Sequence, residues 1–111
     1  PGSNPKGRDE LRWYAKQNWN TEKVSAELTK AATWATRHNV RVYCGEFGAY
    51  TLKAAPEDRR AWLTDVTTTL RDLEIGYAMW DYAGGFALAT GEPGKRTADK
   101  TTAEAIGLSP K

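Results

Sequence analysis

The stretch Val42-Tyr43-Cys44-Gly45-Glu46-Phe47-Gly48 is a short apolar run that ends abruptly in a carboxylate held between glycines. β-Branched and aromatic residues favour a strand over Val40 to Cys44, and Gly45-Glu46-Phe47-Gly48 takes the chain out of it. An ionised carboxylate at the end of a buried strand must be solvated, paired or neutralised, so it is costly unless the protein uses it. Glu46 is therefore the first candidate for chemistry. The plain alternative is an acid that caps a strand end or sits in an ion pair.

Working outward, a helix precedes this strand. Asn20 or Thr21 can act as its N-cap with Glu22 close behind, and Val24, Leu28, Ala31 and Ala35 follow helical spacing, a stripe that Trp34 widens. Arg37-His38-Asn39 closes it with basic residues and an Asn suited to a left-handed cap, which makes His38 a C-terminal helix residue near the negative end of the macrodipole rather than a catalytic base. After the strand, Thr51 to Ala55 reads as a loop, and Pro56-Glu57-Asp58 opens a second helix with Pro and acids in its first turn. Trp62, Leu63, Val66, Leu70 and Leu73 form its expected buried face, strong enough to carry the poor helix formers Thr67-Thr68-Thr69. A second strand is expected over Ile75 to Trp80, ending in Asp81-Tyr82 and a flexible Ala83-Gly84-Gly85-Phe86. Thr90 to Asp99 reads as an exposed turn or loop, and Lys100 to Ile106 as a short terminal helix stopped by Gly107.

Strands separated by a helix of this length are the βαβ pattern, so the two strands should be parallel neighbours. Two strands cannot shield a parallel sheet, whose faces must both be covered. Further strands must come from elsewhere. The 111 residues, 40% hydrophobic with five Trp and five Tyr, suffice for one core, whereas a closed eight-stranded α/β barrel needs about 250 residues. The chain opens Pro1-Gly2-Ser3-Asn4-Pro5 without Met, which reads as part of a longer protein. Its +2 net charge is scattered, so no nucleic-acid footprint is implied. A single cysteine, Cys44, excludes an internal disulfide framework and cannot build a zinc cluster with the single His38; it reads as a buried thiol. No apolar run approaches the roughly 20 residues that span a membrane, and no signal peptide is visible.

In parallel α/β architectures ligands bind at the C-terminal ends of strands. Glu46 ends the first strand here; Trp80, Asp81 and Tyr82 end the second. A carboxylate beside an indole suits carbohydrate, because the ring packs on the apolar C–H face of a sugar while the acid addresses its anomeric carbon or a hydroxyl.

With these residues in place the chain resembles glycoside hydrolase family 5, the cellulase-like (β/α)8 TIM barrels. The resemblance is carried by Val42 to Gly48 as the seventh strand, Pro56 to Leu73 as the helix after it, Gly76-Tyr77-Ala78-Met79-Trp80-Asp81-Tyr82 as the eighth strand, and the Gly84-Gly85-Phe86 loop. It implies an α/β fold in which residues 1–20 are a loop region before helix 6, residues 21–108 are the C-terminal segment of the catalytic barrel, and residues 109–111 are a tail. It further implies that Glu46 is the nucleophile, that Trp80 is the platform beneath the sugar, and that Asp81, Tyr82 and Phe86 are weaker candidates for substrate contact. For Trp80 the alternative is core packing. No metal or organic cofactor is implied.

The departure from the family pattern is serious. A retaining glycosidase needs a second carboxylate about 5 to 5.5 Å from the nucleophile, and the family's acid/base Glu lies on an earlier strand that this sequence does not contain. Glu57, Asp58, Asp65 and Glu74 do not lie at strand C-termini and cannot substitute. The resemblance therefore implies the C-terminal part of a retaining β-glycanase, an endo-β-1,4-glucanase, secreted or periplasmic, acting on β-glucan together with a complementary N-terminal part. Two other readings stay open: a noncatalytic fragment whose Trp13, Trp19 and Trp80 bind glycan or which serves only assembly, and a glycanase for mannan, xylan or xyloglucan.

Overall fold

The computed structural model describes residues 19–108 together with positions 9, 12, 13, 16 and 17. Helix α1, Thr21–His38, starts where Asn20 accepts a hydrogen bond from the Lys23 N–H through its side chain and ends where Asn39 adopts a left-handed conformation (φ 51°). Strand β1, Tyr43–Phe47, follows, then helix α2, Pro56–Asp72, and strand β2, Gly76–Met79. A two-residue ribbon pairs β3, Ala89–Thr90, with β4, Thr97–Ala98, in antiparallel fashion, and helix α3, Lys100–Ala105, completes the described fold. Of the loop region expected over residues 1–20 only the positions named above are described, and the tail at 109–111 lies outside the described residues.

β1 and β2 are parallel neighbours joined through α2, the βαβ arrangement expected from the spacing. The helices cover one face of this pair. Val24, Phe47, Leu63, Val66, Leu70, Ile75, Ala105 and Ile106 form the core, with Leu63 and Leu70 fully buried; each such side chain contributes about 1.5–3 kcal/mol relative to exposure. Phe47 meets Tyr77 edge-on at 5.7 Å, and the Tyr77 hydroxyl donates to Ile106 O at 3.0 Å, which docks the end of α3. Thr67, within the run of poor helix formers, is fully buried, with its hydroxyl 2.9 Å from both Leu63 O and Ala105 O. A hydroxyl that bridges to α3 explains why a threonine sits inside the core. Thr21 donates to Asp65 at 2.8 Å and ties α1 to α2.

Several expectations are corrected. β1 begins at Tyr43 rather than Val40, because the left-handed cap at Asn39 and the bond from Val40 N–H to Ala35 O use the next residues to turn the chain into the sheet. Glu46 therefore lies within the strand, and β2 spans Gly76–Met79, so Trp80 follows it. Trp34 and Ala31 are exposed rather than part of the buried stripe, since α1 leans on α2 through its other flank. Trp34 instead stacks on His38, centroids 4.3 Å apart, and His38 Nδ1 lies 2.8 Å from Trp34 O; His38 is a helix-end residue, as read. Cys44 is half-buried, not buried, and its thiol makes a 3.7 Å contact to Glu46 O. Within Thr90 to Asp99 the loop contains Thr90, Thr97 and Ala98, three of the four residues of the β3–β4 ribbon.

Candidate active site

The register pairs Tyr43 with Gly76, Cys44 with Tyr77 and Phe47 with Met79. Between Cys44 and Phe47 the first strand thus holds one more residue than its partner, a bulge that contains Gly45 and Glu46. Bulges re-aim a side chain and end regular pairing, and Gly45 in that position was the sequence signal for it. Glu46 is exposed, and among the described residues its carboxylate accepts no hydrogen bond and lies in no salt bridge. A capping or ion-paired role has no partner here.

Beyond the bulge the two strands are locked. Trp80 N–H donates to Phe47 O at 2.7 Å. Gly48 passes so close to the neighbouring chain that a Cβ there would lie 2.1 Å from Trp80 O, which only glycine allows. The segments that carry Glu46 and Trp80 are thereby fixed side by side at the same end of the sheet. Trp80 is 51% exposed, too open for a core residue.

The other candidates separate. Asp81 folds its own loop: its carboxylate accepts the Gly84 N–H at 3.0 Å and its carbonyl accepts the Leu88 N–H at 2.9 Å. Tyr82 is 63% exposed, with the Arg96 guanidinium 5.8 Å from its ring centre. Phe86 is half-buried against Tyr50, ring centres 5.5 Å apart. The fold places the segments that carry Glu46 and Trp80 side by side, uses Asp81 and Phe86 in the scaffold of the loop after Trp80, and leaves Tyr82 exposed.

Three residues outside the sequence candidates build this end of the molecule. Thr51 donates through both its N–H and its hydroxyl to Gly85 O, each at 2.8 Å. Tyr50 lies over Gly85, where a Cβ would sit 2.4 Å from its ring. Arg59, in the first turn of α2, donates to Ala49 O at 3.1 Å, Phe86 O at 2.9 Å and Ala87 O at 3.0 Å, and to the Thr102 hydroxyl. Burial pushes the Arg59 pKa below its ordinary value and the charge of Asp99 opposes this. The Thr102 hydroxyl above all, then its N–H at 2.7 Å and Arg59, hold the Asp99 carboxyl below the usual range against the effect of burial. The signal for Arg59 was its phase: positions 59, 63, 66 and 70 share one face, so a charge stands at the head of the buried stripe. Among the described residues no cluster of His, Cys, Asp and Glu is placed to hold a metal ion, and no helix is long and apolar enough to cross a membrane.

No family model matches this chain. It is similar to Endoglucanase 3 of Fibrobacter succinogenes, 34% identical over 67 residues, which are 60% of this chain and 10% of that protein. Among solved structures it is similar to a hyperthermophilic endo-β-1,4-glucanase in complex with substrate, at 30% identity and a TM-score of 0.70, covering 81% of this chain and 28% of that one. Cel5A of Thermotoga maritima in complex with mannotriose gives 26% identity and a TM-score of 0.71 over 79% of this chain and 29% of that one; the same enzyme has been solved with cellobiose. The chain thus spans about a tenth of the length of that curated relative and under a third of these solved chains. The likeness to family 5 cellulases read from the sequence is borne out, and the α/β fold matches part of their (β/α)8 barrel.

Proposed function

We propose that this chain, a portion of a family 5 glycoside hydrolase, is the C-terminal part of a retaining endo-β-1,4-glucanase that acts with a complementary N-terminal barrel part. One observation carries the reading: a parallel strand pair whose bulge presents an unpartnered Glu46 next to the segment that carries an exposed Trp80. Likeness to endoglucanases over most of the described chain supports it. In this reading β1 and β2 are the seventh and eighth barrel strands and α1, α2 and α3 are helices 6, 7 and 8.

The sugar at the cleavage point rests its apolar face on Trp80, whose indole supplies area and orientation without a charge. Glu46 attacks the anomeric carbon, forming a glycosyl ester as the bond to the leaving oxygen breaks. The acid/base Glu of the complementary part, about 5 to 5.5 Å away, protonates that oxygen and then takes a proton from the water that releases the sugar. Asp81 and Phe86 support this end from the loop, and Tyr82 contacts substrate at the rim. No cofactor enters the reaction. The whole enzyme works on extracellular polysaccharide, outside the cell or in the periplasm.

Mannan is the second substrate reading, favoured by the mannotriose complex of the similar Cel5A. Assaying the chain alone and with its complementary part on β-glucan and mannan tests the proposal. The chain alone should hydrolyse neither; the assembled enzyme should cleave β-glucan, and Glu46→Gln should lower that rate by at least about 1,000-fold. Turnover by the chain alone, or a fully active Glu46→Gln assembly, would overturn it.

A further inference from the structure

We infer that Arg59 is a positioning residue of this site: it clamps the loop after Glu46 to the loop after Trp80, so that nucleophile and platform keep one fixed spacing. The inference rests on the reading of Glu46 as nucleophile. Four donated hydrogen bonds converge on one half-buried guanidinium: Nε to Ala49 O, Nη2 to Phe86 O and Ala87 O, and Nη1 to the Thr102 hydroxyl. Ala49 stands three residues beyond Glu46, Phe86 and Ala87 lie in the loop that leaves Trp80, and Thr102 belongs to α3. Among the described residues Arg59 forms no salt bridge. A cation committed to main-chain carbonyls of separate segments fixes backbone position, and the planar fork of arginine loses little freedom in doing so.

The clamp also has independent support. Thr51 joins the same two loops through its double donation to Gly85 O, and Tyr50 closes over Gly85 against Phe86. The spacing of Glu46 and Trp80 is therefore set twice, by the strand pair on one side and by Arg59 with Thr51 on the other. Attack on a sugar held on Trp80 depends on that spacing, because a misplacement of about 1 Å in a reacting group can cost on the order of 100-fold in rate. Lysine cannot replace this arginine, since a single ammonium on a flexible stem does not reach three segments at once.

The test uses the assembled enzyme. Arg59→Ala should lower kcat by about 10- to 100-fold while KM changes by about threefold or less, because Arg59 touches no substrate. Arg59→Lys keeps the charge and most of the stem, carries the same expectation, and serves if the alanine variant does not fold. Val66→Ala, a cavity in the buried face of the same helix, lowers stability by a different route; assayed equally far below its own Tm, it should keep kcat within about twofold. Hydrogen exchange at residues 48–51 and 85–87 should accelerate together in Arg59→Ala while the β1–β2 pair keeps its protection. An unchanged kcat, full activity with lysine, an equal loss in Val66→Ala, or exchange that rises in one loop alone would overturn the inference. A Glu46→Gln enzyme that still cleaves β-glucan would instead overturn the function, and the exchange result would then still decide whether the clamp exists.

Discussion

At the scale of single residues, Glu46 draws its candidacy from the glycines around it. The strand bulges at Gly45 and Glu46, and Gly48 lets the chain pass against the Trp80 carbonyl, so the acid is displayed while the two strand ends stay joined. Gly48→Ala would drive a methyl group into main chain that cannot move aside. It should destabilise the protein by about 1–3 kcal/mol, as overpacking of a tight contact does, and lower kcat of the assembled enzyme. Urea unfolding and steady-state rates check this; a variant with wild-type stability and rate would mean that the close approach is not needed. Glu46 and Trp80 were legible in the sequence because each marks an abrupt change from an apolar run. Arg59 and Thr51 were not, because the carbonyls they reach in the loop after Trp80 lie 27 to 34 positions away, and nearly any residue could supply those.

At the scale of elements, the helices were legible to within a residue or two at each end. Asn20, Asn39, Pro56 and the 3.6-residue period act locally and need no distant partner. The strands were legible as elements but not in their bounds, since β1 starts where pairing with Gly76 begins, a fact of register. The β3–β4 ribbon was missed because two residues on each side hold no period. The threonine run in α2 has a packing reason that its helix propensity hides. Thr67 supplies a buried donor to the last carbonyl of α3. Thr67→Val, which keeps the shape and removes the hydroxyl, should cost about 1–3 kcal/mol by leaving a buried acceptor short of a donor, and Thr67→Ser should cost clearly less. Chemical denaturation of both variants decides; equal losses would point to packing rather than to the hydrogen bond.

At the scale of the molecule, the helices cover only one face of the β1–β2 pair. Tyr43, Gly45 and Gly76 are exposed on the strands, and a parallel sheet is stable when both faces are covered. Together with a span under a third of the similar solved chains, this supports the proposal that the chain works with a complementary barrel part. In the proposed enzyme half of the chemistry is legible here: the sheet end supplies Glu46 and Trp80, and the complementary part supplies the second carboxylate. The most direct measurement is mass spectrometry of the assembled enzyme quenched during turnover of an activated aryl β-cellobioside, followed by tryptic digestion. Cleavage after Arg41 and Lys53 releases residues 42–53 as one peptide that contains Glu46 as its only acid. The account predicts a cellobiosyl adduct on that peptide, located at Glu46 and absent from the Glu46→Gln enzyme. Turnover with the adduct on any other residue would contradict it.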